Sequence, residues 1–483
     1  MYSDRPRGNP PTPPALLATV VLLQAYTKCS DFDAVSNALH DTRWQMALDC
    51  FDPEEAPFGE ATLADFRTRL VSKGMAPRLL QRTVDLAKET KGFGYKQAAG
   101  LRIAIDSVPL DGAGKVEDTI NLLGHALRLL LRALAVFLAL KPEAIAVDAD
   151  LPVLVAPSTK AGLDLDWHAP DAGATALRVM IEHIERLTAW MTPRLAARGS
   201  TVRIEAAHEQ LSRIVDQDTV PDGAGRRTLR EGVAAERQIS ISDPEMRHGR
   251  KSATERIDGY KEYVATDLPN DLTLAAAVLP ANVPEAAGAD KLRPAIEVHG
   301  TVQYLAIDCA FLASDLCATT RARPDGEVVC RSIRLTLQGR FTKADFAIDV
   351  AAGTVRCPAG HLAVIQSAKA HFPAATCGAC PQRASCQPAG AKQGRAIRIH
   401  PAEPFFQALR AAEQTPEGRA RLRERTAVEH KLAHQRNRQP RFARYRGVAK
   451  NDFDAQRTAA VNNLLVIDRR LRRAGLEVLD EVA

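Results

Sequence analysis

The chain changes its hydrophobic rhythm at residue 101, and that change limits the folds open to it. From 14 to 100 the apolar residues recur at helical spacing, as in "PPALLATVVLLQAYTKCSDFDAVSNALH" and "ATLADFRTRLVSKGMAPRLLQRTVDLAKET". At 101 the period drops to two. In "LRIAIDSVPL" the side chains of Leu101, Ile103 and Ile105 share one face, Asp106 takes the other, and Pro109 is expected to end the strand. Helical spacing returns over 115–235, and "RQISISDPEMRHGRKS" reads as a short strand with a polar loop. "GYKEYVATDL" and "LTLAAAVLPAN", joined by the turn signal "PND", predict a hairpin. A helix ("VPEAAGADKLRPAIEVHG"), a strand ("TVQYLAIDCAFLAS"), a further strand at "EVVCRSI" and a late helix complete the order. Strands interrupted by helices in this order predict an α/β fold, a mixed sheet with helices on its faces.

A chain of 483 residues has room for two to four domains. Its most apolar stretch, "TINLLGHALRLLLRALAVFLAL" at 119–140, contains Arg128 and Arg132, which are costly in lipid, so it reads as a buried core helix. The polar, proline-rich start has no secretory pattern, and nine unevenly spaced cysteines suit a reducing compartment, so a cytoplasmic, nucleoid-associated protein without a membrane is expected.

The carboxylates carry the chemistry. Asp106 ends the first strand and Asp308 ends "VQYLAID", where Val302, Tyr304, Ala306 and Asp308 share a face. An aspartate alone at a strand end is ordinarily a turn residue. If the two strands are neighbours, however, two acids meet at one edge of the sheet. A third lies in "RLRERTAVEHKLAHQRNRQPRFARYRG" (421–447), which reads as a helix. Between Arg419 and Lys450 there are eleven Lys or Arg and two acids, Glu424 and Glu429. Such a cationic excess suits a polyanion. Arg425, Glu429, Leu432 and Arg436 follow one helical stripe, although Arg425 and Glu429 at i,i+4 also make an ordinary surface pair. Three hard carboxylates suit Mg²⁺ or Mn²⁺. Two such ions about 3.5–4 Å apart can clamp both oxygens of an in-line phosphoryl transfer.

Arg247, Arg250 and Lys251 of "DPEMRHGRKS" offer donors to a phosphate backbone, as do Lys431, Arg441, Arg444 and Arg446. In "PRFARYRG", Phe442 and Tyr445 alternate with arginines, a mix that can stack on an unpaired base, while plain packing explains Phe442 equally well. Cys357, Cys377, Cys380 and Cys386 stand in the spacing C-x19-C-x2-C-x5-C, which predicts a structural Zn²⁺ site. His361 and His371 are substitute ligands, and reduced buried cysteines are the alternative. "LDGAGKVEDT" is no phosphate loop, because Pro109 and Val116 replace the required Gly and Ser/Thr.

These stretches resemble the DDE-type transposases of bacterial insertion sequences. The likeness extends from "RGNPPTPPALLATVVLLQAYTKCSDFDAVSNAL" through "IAIDSVPLDGAGKVEDTINLLGHALR", "SDPEMRHGRKSATERIDGYKEYVATD" and "LAIDCAFLAS" to "RTAVEHKLAHQRNRQPRFARYRGVAKNDFDAQRTAAVNNL". The last block is the most specific. It resembles a pattern with an Arg four residues before the Glu and a basic residue seven after, here Arg425, Glu429 and Arg436. The Tyr that often opens the pattern is Leu422 here. The resemblance implies a ribonuclease-H-like core with Asp106, Asp308 and Glu429 as its triad, Mg²⁺ or Mn²⁺ as cofactor, and cutting of double-stranded DNA at the element's terminal repeats followed by joining to target DNA. A homo-oligomer on DNA is also implied, and so is a four-cysteine insert before the Glu. Against relatives the chain starts late, so a few N-terminal residues are expected to be missing. The expected organisation is a helical DNA-binding domain over 1–100, the core over 101–336 with its helical insertion at about 115–235, the zinc-stapled insertion over 337–400, and the part carrying the Glu over 401–483. A nuclease that cuts without joining, and an inactive zinc-containing DNA-binding remnant, are the competing readings.

Overall fold

The computed structural model describes residues 11–90, 93, 100–252, 254–333, 337, 339–438 and 441–475. Five helices come first: α1 (Pro14–Thr27), α2 (Asp31–His40), α3 (Thr42–Leu48), α4 (Glu60–Ser72) and α5 (Pro77–Glu89). Their starts follow local chemistry. Ser30 and Asp33 form a capping box on α2, and the Asp41 carboxylate accepts the Arg43 N–H of α3. Leu17, Val21, Trp44, Leu63 and Phe66 form their core, which Phe453 of the last long helix completes.

Strand β1 (Leu101–Asp111) follows. A helical block then intervenes: α6 (Thr119–Leu138), α7 (Pro142–Asp148), α8 (Pro152–Val155), α9 (Thr159–Leu163), α10 (Ala172–Arg198) and α11 (Val202–Asp218), closed by the hairpin β2 (Thr219–Pro221) and β3 (Arg227–Leu229). Helix α6 is long and apolar enough to cross a membrane, yet Leu122, Leu123, Leu127, Leu130 and Leu134 have no exposed surface within this block. Arg128 is half-buried and gives its guanidinium to Val153 O (2.8 Å) and Thr159 Oγ1 (2.7 Å).

The chain returns to the sheet through β4 (Arg247–Arg250), β5 (Arg256–Asp267) and β6 (Leu272–Pro280). After α12 (Glu285–Glu297) come β7 (Val302–Ala306), α13 (Asp315–Arg321) and β8 (Glu327–Val329). The order is β4-β5-β1-β7-β8, with β6 paired to β5. β1 and β6 run antiparallel to β5, while β7 is parallel to β1 and β8 to β7. The sheet is mixed, with both faces covered. Ile103, Ile105, Leu305 and Ile307 pack on Leu292 and Ile296 of α12. On the opposite face, Leu110, Tyr260, Val264 and Val278 meet the C-terminal helices. At Gly259 (φ +156°) a Cβ would lie 2.3 Å from the Gly112 nitrogen, so the crossing with β1 requires glycine.

One expectation is corrected here. β1 does not stop at Pro109 but runs to Asp111, so Asp106 lies in the middle of the strand and does not end it. Asp111 exchanges backbone bonds with Arg441 O and Ala443 N, so odd-numbered residues of β1 face away from β5. The pairing with β7 ends at Ala104, and the missing Pro109 donor therefore falls on the side without a ladder.

A second sheet forms from β9 (Ala347–Asp349), β10 (Thr354–Arg356), β11 (Leu362–Gln366), β12 (Lys369–His371) and β13 (Ala396–Arg398), all antiparallel neighbours, with the short helices α14 (Ala374–Gly378) and α15 (Arg383–Cys386) between the last two strands. The chain ends through α16 (Glu403–Gln414), α17 (Pro416–Glu424), α18 (Thr426–Arg438) and α19 (Val448–Arg473). The segment read as one helix over 421–447 is thus two helices with a joint at Arg425, followed by a non-helical stretch.

α19 also closes the edge of the large sheet. Asp452 accepts the Val278 N–H (3.0 Å), and buried Asn463 accepts from Thr273 N and donates to Thr273 O, both at 2.8 Å. Polar side chains stand in for a missing strand, which satisfies edge groups that would otherwise template aggregation.

Candidate active site

β1 and β7 lie side by side in parallel, with Ile103 opposite Leu305 and Ala104 opposite Ala306. Two residues further, that register sets Asp106 beside Asp308. Each carboxylate is fixed by its own backbone. Asp106 Oδ1 accepts the Ser107 N–H at 2.8 Å, and Asp308 Oδ1 accepts the Cys309 N–H at 2.6 Å, capping the turn that ends the strand.

α18 brings in the third acid. Val428, without exposed surface, seats on Ala104, Tyr304 and Ala306, and the two alanines let the helix approach closely. Leu432 packs one turn on against Leu110 and Tyr260. Between these anchors Glu429 stays half-exposed. Arg425 then links the set. Its Nη1 lies 3.3 Å from Asp106 Oδ2, and its Nη2 donates to Glu429 Oε1 at 2.8 Å. One guanidinium thus bridges two acids that are 323 positions apart in the chain, since 429 − 106 = 323.

Burial pushes the Asp106 carboxyl above its usual range, and the nearby Asp308 charge acts in the same direction. The Ser107 N–H, Arg425 and Lys251 oppose that shift. Lys251, predicted as a backbone contact, is placed here, with Nζ donating to Ser107 O at 3.2 Å.

The other predicted DNA contacts divide. Arg441 pairs with Asp111 at 2.7 Å, Arg444 reaches Cys29 O at 3.0 Å, and both remain exposed with Arg446 and Arg250. Phe442 is 66% exposed, which sets aside packing as its role. Arg247 is turned back onto Pro244 O and Met246 O and is mostly buried. Lys431 is corrected outright. Its side chain is 4% exposed and its ammonium pairs with Asp271 at 3.1 Å, so its charge is spent on tying α18 to the β5–β6 turn. The side chain of Arg436 lies outside the described residues.

The sequence did not point to Asp243 and Glu245. Asp243 accepts from Tyr260 OH (2.6 Å) and Gly447 N (3.1 Å), and Glu245 accepts from Val448 N (2.7 Å), so the "SDPE" segment holds the start of α19. Acids aimed at a helix N-terminus were the available signal.

In the second sheet all four predicted zinc-site cysteines line one small cavity with His361, Phe346, Phe372 and Arg395. Cys357 sits in the β10–β11 turn, where its N–H reaches His361 O and Gly360 N–H reaches Cys357 O. Cys377 and Cys380 lie at the end of α14 and Cys386 ends α15. Burial raises the Cys386 thiol, and the other three cysteines add to this. His371 is exposed on β12. Among the described residues, no group of three or more His, Cys, Asp or Glu is arranged to hold a metal ion, in this cavity or around Asp106.

The family model for the transposase DDE domain matches residues 360–467, which covers the second sheet from β11 on and the helices through most of α19. No curated protein and no solved structure matches the chain.

Proposed function

We propose that this chain, whose residues 360–467 match the transposase DDE domain, is a DDE-type transposase that cuts DNA at the ends of an insertion sequence and joins those ends to target DNA, with Asp106, Asp308 and Glu429 as the acidic triad. The observation that carries this reading is the meeting of Asp106 and Asp308 on adjacent parallel strands, with Glu429 delivered to the same edge by α18 and held there through Arg425. Within the six-stranded sheet, the run β6-β5-β1-β7-β8, its first three strands antiparallel and its last two added in parallel, supports a ribonuclease-H-like core.

The donor types, not grouped around one metal position as they stand, suit the divalent ions that such a reaction uses. The donors are hard carboxylate oxygens, and a cationic guanidinium already lies between two of them, so the spot favours positive charge. Bound there, a pair of ions would ionise the attacking oxygen and offset charge on the leaving one. Asp106 and Asp308 are held in place by backbone N–H groups. Glu429 completes the set when its bond to Arg425 loosens, and Arg425 and Lys251 are left to face the phosphate. Arg441, Arg444, Arg446 and Arg250 extend this cationic surface, and exposed Phe442 offers a ring to an unpaired base. The N-terminal helices read the terminal repeats, and two or more copies act together on the DNA. The shared cavity of Cys357, Cys377, Cys380 and Cys386 supports a structural Zn²⁺ for the second sheet.

The test is a cleavage and joining assay on DNA carrying the element's own ends, with and without Mg²⁺. Asp106→Asn, Asp308→Asn and Glu429→Gln should each abolish cutting and leave DNA binding intact. Full cutting by any one variant removes that residue from the triad. Cutting without joining moves the protein to the nucleases.

A further inference from the structure

The second sheet covers only one face. Ile348, Val355, Ala363, Ala370 and Ile397 point into its small core, so their strand neighbours point out. The outward face is unusual in its charge. Lys369 of β12 lies directly opposite Arg398 of β13, and both are exposed. Neither has an acid partner among the described residues. Like charges placed opposite each other on adjacent strands oppose sheet formation. Arg356 of β10, opposite Leu362, adds a third cation on the same face. Asp349, at the far edge on β9, is its one acid among the described residues, and it caps the following turn by accepting the Ala352 N–H. Between the cations, Leu362 and Val364 stand 54% and 60% exposed.

We propose that this outer face, centred on Lys369, Arg398 and Arg356, docks on the phosphate backbone of duplex DNA. This rests on the transposase reading and adds a contact surface separate from the acidic edge. A polyanion offsets the repulsion that the fold leaves uncompensated. Along the strands the two cationic ends are offset by the four residues between positions 362 and 366 of β11, about 13 Å, and across the sheet Arg356 and Lys369 are two strands apart, about 10 Å, so they stand roughly 16 Å from each other. Long cationic side chains at the two ends of this span can reach phosphates on both sides of a major groove about 12 Å wide, with Val364 between them. A second copy of the chain fits poorly as occupant, because self-pairing would set cations against cations.

The experiment measures binding of the full-length protein to duplex DNA, both with the element's end and of unrelated sequence, across a salt series. Lys369→Ala/Arg398→Ala should weaken binding to both duplexes by roughly ten- to fiftyfold at about 0.1 M salt and lower the salt slope by about 1.8. Melting of the variant should be unchanged or raised, since a repulsive pair is removed. The charge-keeping swap Lys369→Arg/Arg398→Lys should bind like wild type. Unchanged affinity and slope in the alanine variant overturn the proposal, as does equal loss in the swap, which would mark the loss as structural. If the wild-type chain binds no DNA, the transposase reading itself fails. If wild type binds and cuts while the alanine variant matches it, only the docking face falls.

Discussion

The two sheets solve burial in opposite ways. The large one sinks both faces, its helices coming from four separate parts of the chain, and Asp106 and Asp308, side by side on adjacent strands, keep part of their surface open to water. The small one is built from neighbouring hairpins, buries one face over a core of a few residues, and gathers four cysteines at one end. A sheet buried on both sides is held by area, so its partly buried acids are free to serve chemistry. A sheet with one thin core needs a staple, and its open face is available to a partner.

The widest separation between the two regions is expected on removing the proposed Zn²⁺ staple. Cys377→Ser, or chelation of Zn²⁺, should unfold residues from about 341 to 399 and leave the large sheet folded, a loss of several kcal/mol confined to one region. Hydrogen exchange resolved by region reads this. Unaltered protection there, with no zinc by elemental analysis, would show a sheet that stands without metal.

Next comes the edge of the large sheet. Asn463 is fully buried and bonds Thr273 twice and Thr83 once. Asn463→Ala should cost roughly 3 kcal/mol of global stability in denaturant unfolding and leave the small sheet unaffected. A loss below about 0.5 kcal/mol would mean that water replaces the amide.

A pH effect of about 2 kcal/mol should also belong to the large sheet alone. Burial, then the Lys88 charge, lower His299 to about 4, and its neutral ring accepts from Lys88 at 3.2 Å. The unfolded chain binds that proton from about pH 6.5 downward and the folded chain only near pH 4, so stability should fall as pH drops through this window. His299→Gln should flatten that slope, and an unchanged profile would assign it to other groups.

The smallest effect is at the β11–β12 turn, where Ser367 and Ala368 both take positive φ (48° and 59°) without being glycine. Ala368→Gly should stabilise the small sheet by up to about 1 kcal/mol, seen as a later local unfolding transition. No gain would mean that the flanking strands impose the turn at no cost.

Much of the large sheet was legible because its strands carry a strict period of two or a continuous apolar run, as in "LRIAID" and "LTLAAAVL". The hairpin at "PND" and the helix after Pro284 likewise appear where their residues demand them. The five strands of the small sheet were hidden behind the cysteine spacing, although "TVRCPAGHLAVIQSAKAHF" alternates. The joint at Arg425 carries no proline or glycine to mark it. Lys431 misleads because charge reads as surface, and only the fold reveals Asp271 opposite it. Pro109 misleads for the same kind of reason, since whether a missing donor matters depends on which side has a neighbour.

The proposed convergence of three acids on one divalent site can be mapped directly by loading the DNA complex with Fe²⁺ in place of Mg²⁺ and letting hydroxyl radicals generated at the metal cut the polypeptide. The account predicts breaks clustered at three places, near Asp106, near Asp308 and within the first turns of α18, all lost together in Asp308→Asn. Breaks confined to the cysteine region, or at only one of the three places, would contradict it.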